Sequence, residues 1–169
     1  EDLLDVSRIV SGKLSVQMRP VTMNSIVQGV VADMRPSAKA KGIDLRLAHG
    51  EEIMLIGDAD RLQQVVWNLL SNAIKFTPEG GSIEIELKRV GEWAELRVSD
   101  TGRGISPEFL PHVFDRFRQA TGGDSRARAG LGLGLTIVRY IVERHGGYVR
   151  AESSGEGHGA RFTVDLPYS

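Results

Sequence analysis

The chain has 169 residues, of which 41% are hydrophobic and 25% charged, with a formal net charge of −1. This is an ordinary globular composition, long enough for one domain with a real core plus an appendage. The near-zero charge gives no footprint for nucleic acid or an anionic membrane, and no stretch approaches the ~20 apolar residues of a membrane span. The absence of cysteine excludes disulfides and thiolate metal sites and is compatible with a reducing cytoplasm.

Residues 1–14 place Leu3, Leu4, Ile9 and Leu14 among polar residues in a rough helical pattern that is already under way at Glu1. We expect a piece of a longer protein that begins in mid-helix. Residues 15–21 read as an extended linker broken at Pro20. Thr22 or Asn24 can cap a helix over about 24–40, with Ile26, Val27, Val30, Val31 and Met34 as its apolar positions. Ile43, Leu45 and Leu47 alternate as a strand, and 53–56 is a short second one. A helix over 59–76 carries the stripe Leu62, Val65, Val66, Leu69, Leu70, Ala73 and stops at Thr77-Pro78-Glu79-Gly80-Gly81.

The runs Ile83–Leu87 and Ala94–Val98 alternate with charged residues about Gly91-Glu92, the pattern of a hairpin with one buried face. Ser106 as N-cap and Pro107 at the first helical position predict another helix. Residues 118–131 have no periodicity. A helix over 132–145 ends at Gly146-Gly147, where His145 helps to terminate it, and 148–153 and 160–166 are closing strands. The order predicts an α+β fold in which helices cover one face of a mixed sheet.

Several residues bear on chemistry. Spacings of four and three put Asn68, Asn72 and Lys75 on one helical stripe bordering the apolar face. Amide oxygens there suit Mg²⁺, Lys75 suits phosphate, and Phe76 offers a ring to a base. Alone, the stripe reads first as the polar residues a helix shows at the edge of its buried face. Asp100 shares the parity of Ala94, Leu96 and Val98, so it points to the buried side and needs a partner. An adenine amino group would serve, and so would an Asx turn with Gly102. Gly102 and Gly104 let the chain turn beside that carboxylate. Gly130, Gly132 and Gly134 precede or open a helix, where phosphate oxygens can reach bare N–H groups, or where small residues simply allow close packing. No lysine followed by Ser or Thr completes a Walker loop, and no βαβ unit surrounds a dinucleotide fingerprint. The arginines at 118, 126 and 128 lie on a loop that is either a lid or a solvated surface. His49, His112, His145 and His158 lack metal-ligand spacing, and Trp67 reads as helix packing.

Taken in order, these segments resemble the catalytic ATP-binding domain of sensor histidine kinases, in the GHKL (gyrase, Hsp90, histidine kinase, MutL) superfamily. NLLSNAIKFTP (68–78) is similar to the N box, DTGRGI (100–105) to the first glycine box, FDRF (114–117) to the F box and GLGLGL (130–135) to the second glycine box. The resemblance covers residues 20–167. Residues 1–19 are similar to the end of a dimerisation and phosphoacceptor hairpin helix and its linker, which divides the chain into 1–19 and a catalytic domain, 20–169.

The resemblance implies a Bergerat-type two-layer α/β sandwich that binds Mg²⁺ and ATP. Asn72 would hold the metal; Asn68 and Lys75 would contact phosphates or their waters. Phe76 would line the base, Asp100 would bind its amino group, and Gly102 and Gly104 would shape that pocket. Gly130, Leu131, Gly132, Leu133 and Gly134 would cradle phosphates, and Arg116 or Arg118 would assist the γ-phosphate. The phosphoryl group would pass to a histidine on the dimerisation helices of the parent protein and then to a response-regulator aspartate, with no contact to nucleic acid or membrane by this segment. The parent would work in the cytoplasm, free or anchored.

Three departures stand out. No histidine lies in an H-E-x-x-T/N-P acceptor motif, Leu131 replaces a frequent Thr, and Gln119 stands where many members have Arg. Superfamily hydrolases carry a general-base Glu at the position of Asn68, whose amide cannot take a proton from water. The remaining alternatives are a protein-serine kinase and a nucleotide-binding scaffold.

Overall fold

Alternation of apolar and charged residues builds the sheet. The computed structural model describes residues 15–115 and 133–168. In chain order its strands are β1 (Arg19–Thr22), β2 (Asp44–His49), β3 (Met54–Gly57), β4 (Ser82–Val90), β5 (Trp93–Asp100), β6 (Tyr148–Glu152) and β7 (Ala160–Pro167). Its helices are α1 (Met23–Ala40), α2 (Ala59–Phe76) and α3 (Leu133–Arg144). Five strands form a sheet in the order β2-β4-β5-β7-β6. The β2–β4 pair is parallel and the others antiparallel, so the sheet is mixed.

One face carries Ile83, Ile85, Leu87, Ala94, Leu96, Val98, Phe162, Val164 and Leu166, all buried in one core with the apolar sides of the three helices. α2 is the central helix and packs on both α1 and α3. Every residue of its predicted stripe, Leu62 to Ala73, is buried. This is the two-layer α+β arrangement expected from the element order. The opposite face is a charge lattice. Arg97 spans Glu95 (2.9 Å) and Glu86 (3.7 Å), and Arg150 spans Glu95 (3.6 Å) and Asp165 (3.1 Å). Two guanidinium groups therefore compensate the buried Glu95 carboxylate.

Four expectations fail locally. Residues 19–21 are not linker: with Thr22 they form β1, which pairs antiparallel with β3, from Arg19 opposite Gly57 to Thr22 opposite Met54, in a separate two-stranded ribbon. A strand with only one neighbour tolerates Pro20, which merely lacks one ladder donor. The capping of α1 is only positional: Thr22 occupies the N-cap position but makes no side-chain capping bond. Asn24 instead turns inward, accepting from Ile53 N (2.7 Å) and donating to Glu51 O (3.2 Å). The helix expected from Ser106 shrinks to one 3-10 turn, Leu110–His112. Ser106 Oγ does accept from Phe109 N at 3.2 Å, but Pro111 has no N–H for the carbonyl four residues back and its ring obstructs an α-turn. Trp67 is 42% exposed, since it lies outside the stripe that faces the core.

Candidate functional site

The site is built around the two ends of α2. At the N-terminus Asp58 caps the helix, its Oδ1 accepting from Asp60 N (3.1 Å) and Arg61 N (3.2 Å). Its Oδ2 accepts from Gln17 N at 2.8 Å, which ties residues 15–18 to the same point. Burial pulls the Asp58 pKa up, but the three N–H donors and the Arg61 charge outweigh it, and the carboxyl lies below its usual range. Asp58 N donates to His145 Nε2 (2.9 Å), while His145 Nδ1 donates to Ile141 O (2.8 Å). The end of α3 is thereby pinned to the start of α2 by one buried neutral imidazole. His145 does sit where α3 ends, as its position before two glycines predicted.

At the C-terminus the last carbonyls of α2 find specific donors. Lys41 Nζ donates to Ile74 O (2.8 Å) and Lys75 O (3.0 Å), and Arg103 N donates to Phe76 O (3.2 Å). These bonds satisfy carbonyls that a helix end leaves open and hold the turn bearing Lys75 and Phe76 against the DTGRGI segment.

Asp100 ends β5 opposite Ile83 of β4 and Ala160 of β7. Its carboxylate accepts from the N–H groups of Gly102 (2.8 Å) and Ala160. The Asx turn with Gly102 is therefore formed. Burial nevertheless outweighs both donors and pushes the carboxyl above its usual pKa. Gly102 is packed so closely that a Cβ would overlap the carbonyl oxygen of Phe76 and come to 3.0 Å from Asp100 Oδ1. Gly104 has φ +73°, and a Cβ there would overlap the carbonyl oxygen of Gly155. Phe76, Gly102 and Asp100 thus share one corner at the end of the sheet.

Asn68 is half-buried, and its Nδ2 donates to Gly134 O at 3.3 Å, so the helix amide and the opening of α3 meet. Asn72 is half-buried on the same helix, and among the described residues its amide makes no hydrogen bond. Lys75 lies with its ammonium 5.4 Å from the Phe76 ring centroid, and its pKa is lowered by burial and then by the charge of Arg103. Arg116, Arg118, Gly130, Leu131 and Gly132 lie outside the described residues, as do the unperiodic loop and the Gln119 and Leu131 departures.

Sequence reasoning assigned no role to the support behind the corner. Ser153 Oγ accepts from Ile105 N (3.0 Å) and donates to Gly159 O (2.7 Å). Gly157 N donates to Arg103 O (2.7 Å), and Gly159 N to Gly102 O (3.0 Å). The β6–β7 loop is thus a backbone wall for residues 102–105. The closely spaced Gly155, Gly157 and Gly159 are the sequence feature that could have marked it.

The donor set fits a purine nucleotide with a hydrated divalent cation. It offers a half-buried carboxylate without a cationic partner among the described residues, an amide oxygen left unbonded at Asn72, and a lysine. The fully buried Thr77 Oγ1, next to Phe76 in the chain, is also an orphan among the described residues.

Fold and corner together define a domain of the GHKL class. Residues 57–169 match the family described as histidine kinase-, DNA gyrase B-, and HSP90-like ATPase, and the chain belongs to that family. It is 37% identical to hybrid signal transduction histidine kinase D of Dictyostelium discoideum over 98% of this chain and 13% of that protein. The chain spans less than a quarter of the length of the first curated relatives it matches. Among solved structures it is similar to full-length ShkA in complex with AMPPNP, with a TM-score of 0.86 and 29% identity over 99% of this chain and 35% of that one. A mycobacterial sensor histidine kinase, MprB, gives a TM-score of 0.77 and 29% identity over 90% of this chain and 98% of that one. No described helix is long and apolar enough to cross a membrane.

Proposed function

We propose that residues 20–169 are the catalytic domain of a two-component sensor histidine kinase, and that residues 1–19 are the end of its dimerisation helix and linker. The domain binds ATP with Mg²⁺ and passes the γ-phosphoryl group to a histidine on the dimerisation helices, for relay to a response-regulator aspartate. The observation that carries this reading is the Asp100 corner. A carboxylate pushed up by burial, with two N–H donors on it, stands against Gly102 and Phe76 and offers its remaining acceptor capacity to a base amino group.

Each residue then has a task. Asp100 orients the base and Phe76 packs against it. Asn68 and Lys75 hold phosphate oxygens or their waters, and Gly134 lets the phosphates approach the start of α3. Asn72 would hold Mg²⁺, which neutralises charge on the phosphate oxygens when bound. Arg116 or Arg118 is assigned the γ-phosphate, and the glycines from 130 the cradle. Asn68 cannot act as a general base, so the chain positions ATP for transfer and hydrolyses it poorly. The work is placed in the cytoplasm, where ATP is at hand.

The test is calorimetric titration with a non-hydrolysable ATP analogue, with and without Mg²⁺, followed by transfer to a separately supplied acceptor hairpin. Saturable, Mg²⁺-dependent binding and acceptor-dependent phosphorylation are expected. Absence of binding under both conditions refutes the nucleotide site. Rapid phosphate release without an acceptor refutes the kinase reading in favour of a hydrolase.

A further inference from the structure

We infer that Arg103 is a phosphate-binding residue of this site, acting with Lys75 as a pair of cations gathered at the Phe76 ring. The inference rests on the nucleotide reading above and adds a residue to it. The Arg103 backbone is fastened on both sides. Its N–H donates to Phe76 O at 3.2 Å, and its carbonyl accepts from Gly157 N at 2.7 Å. The side chain is exposed, with its Cζ 4.9 Å from the Phe76 ring centroid. The Lys75 ammonium stands 5.4 Å from the same centroid.

The ring attracts both cations, but they repel each other, and the Arg103 charge helps to lower the Lys75 pKa. Among the described residues Arg103 has no carboxylate partner. An anion reaching both groups relieves the repulsion. The planar guanidinium fork suits two phosphate oxygens, and the ammonium supplies a point charge beside it. Asp100, three residues earlier, repels phosphate and takes the base end, so the ligand's polarity is set along the site. The chemistry selected is a nucleoside di- or triphosphate over the bare nucleoside.

The experiment compares the wild-type chain with Arg103→Gln and Arg103→Lys, titrating adenosine, ADP and a non-hydrolysable ATP analogue in the presence of Mg²⁺. Losing a charge-assisted phosphate contact should weaken the analogue and ADP by about ten- to a hundredfold in Arg103→Gln. Adenosine binding should be unchanged, and Arg103→Lys should recover part of the loss. Equal weakening of adenosine and the analogue would mean that Arg103 only holds the ring, which overturns the inference. So would no weakening of any ligand. If the wild-type chain binds none of the three, the nucleotide reading itself fails. If wild type binds and Arg103→Gln binds equally well, only the role of Arg103 fails.

Discussion

Replacing Gly102 by Ala is the sharpest probe of the corner, because this backbone does not require glycine by its dihedral angles, only by its neighbours. The added methyl would overlap Phe76 O, crowd the Phe76 carbonyl carbon at 3.0 Å and sit 3.0 Å from Asp100 Oδ1. Backbone cannot rotate away as a long side chain can, so α2 and the glycine segment must separate. Overpacking of this kind costs about 1–3 kcal/mol. The separation also lengthens the bonds from Arg103 N to Phe76 O (3.2 Å) and from Gly159 N to Gly102 O (3.0 Å). Each contributes roughly 0.5–1.5 kcal/mol net. With partial relaxation the expected loss is about 2–4 kcal/mol, or roughly 5–15 °C in Tm for a domain of this size. Nucleotide affinity should fall at least about tenfold even at temperatures where the variant is folded, because Asp100 and Phe76 no longer keep their spacing. Urea unfolding with and without ATP analogue reads both effects. A variant within about 0.5 kcal/mol of wild type and with unchanged affinity would refute the argument that this contact builds the site.

Other perturbations separate the parts. Asn72→Ala should leave stability within about 0.5 kcal/mol and abolish the Mg²⁺ dependence of analogue binding, read by calorimetry at several Mg²⁺ concentrations; unaltered dependence would remove Asn72 from the metal site. Protonating Asp100 removes its negative charge and turns one of its acceptor oxygens into a donor, and its folded pKa is raised, so analogue affinity should fall as pH drops through a value above 3.8. By the same sign, the cost of its buried charge appears as pH rises through that value, and Asp100→Asn should remove this pH dependence. Asp58→Ala should cost about 1–2 kcal/mol through the lost cap. Its folded pKa is lowered, so the wild-type advantage should be full above 3.8 and vanish as pH falls through the lower folded value; a difference unchanged down to the acid transition would contradict the assignment.

Local periodicity made most elements legible. The α2 stripe, from Leu62 to Ala73, repeats at helical spacing and is buried at every position. The alternation through Ile83–Leu87 and Ala94–Val98 predicts the hairpin because each strand has one wet and one buried face. The failures are tertiary. β1 exists only because β3 lies beside it, and nothing in residues 19–22 announces that partner. Ser106 forms its local bond, yet Pro111 stops the helix from propagating. At the site, parity alone placed Asp100 facing inward; the side chain is half-buried and the Asx turn is found. The Ser153–Gly159 wall was out of reach, because its bonds are mostly backbone bonds across about fifty residues of sequence and carry no side-chain signature. The residues from 116 to 132, which hold much of the second glycine box and both candidate γ-phosphate arginines, lie outside the described residues.

α2 gives these features a common logic. Eighteen helical residues span about 27 Å. At one end Asp58 joins the entering chain at Gln17 and the end of α3 at His145. At the other, Lys41 and Arg103 fix the carbonyls beneath Lys75 and Phe76. Asn68 lies between, touching the start of α3 at Gly134. The end of α3 is thus tied through His145 to the start of α2, while Asn68 meets the start of α3 beside the proposed phosphate site. α2 thus runs from the point where Gln17 attaches to the corner proposed to hold the nucleotide. The side chains at its two ends, Asp58 and Asp100, are carboxylates shifted in opposite directions. Donors prevail at the first, which is structural, and burial prevails at the second, which is left with capacity for a ligand.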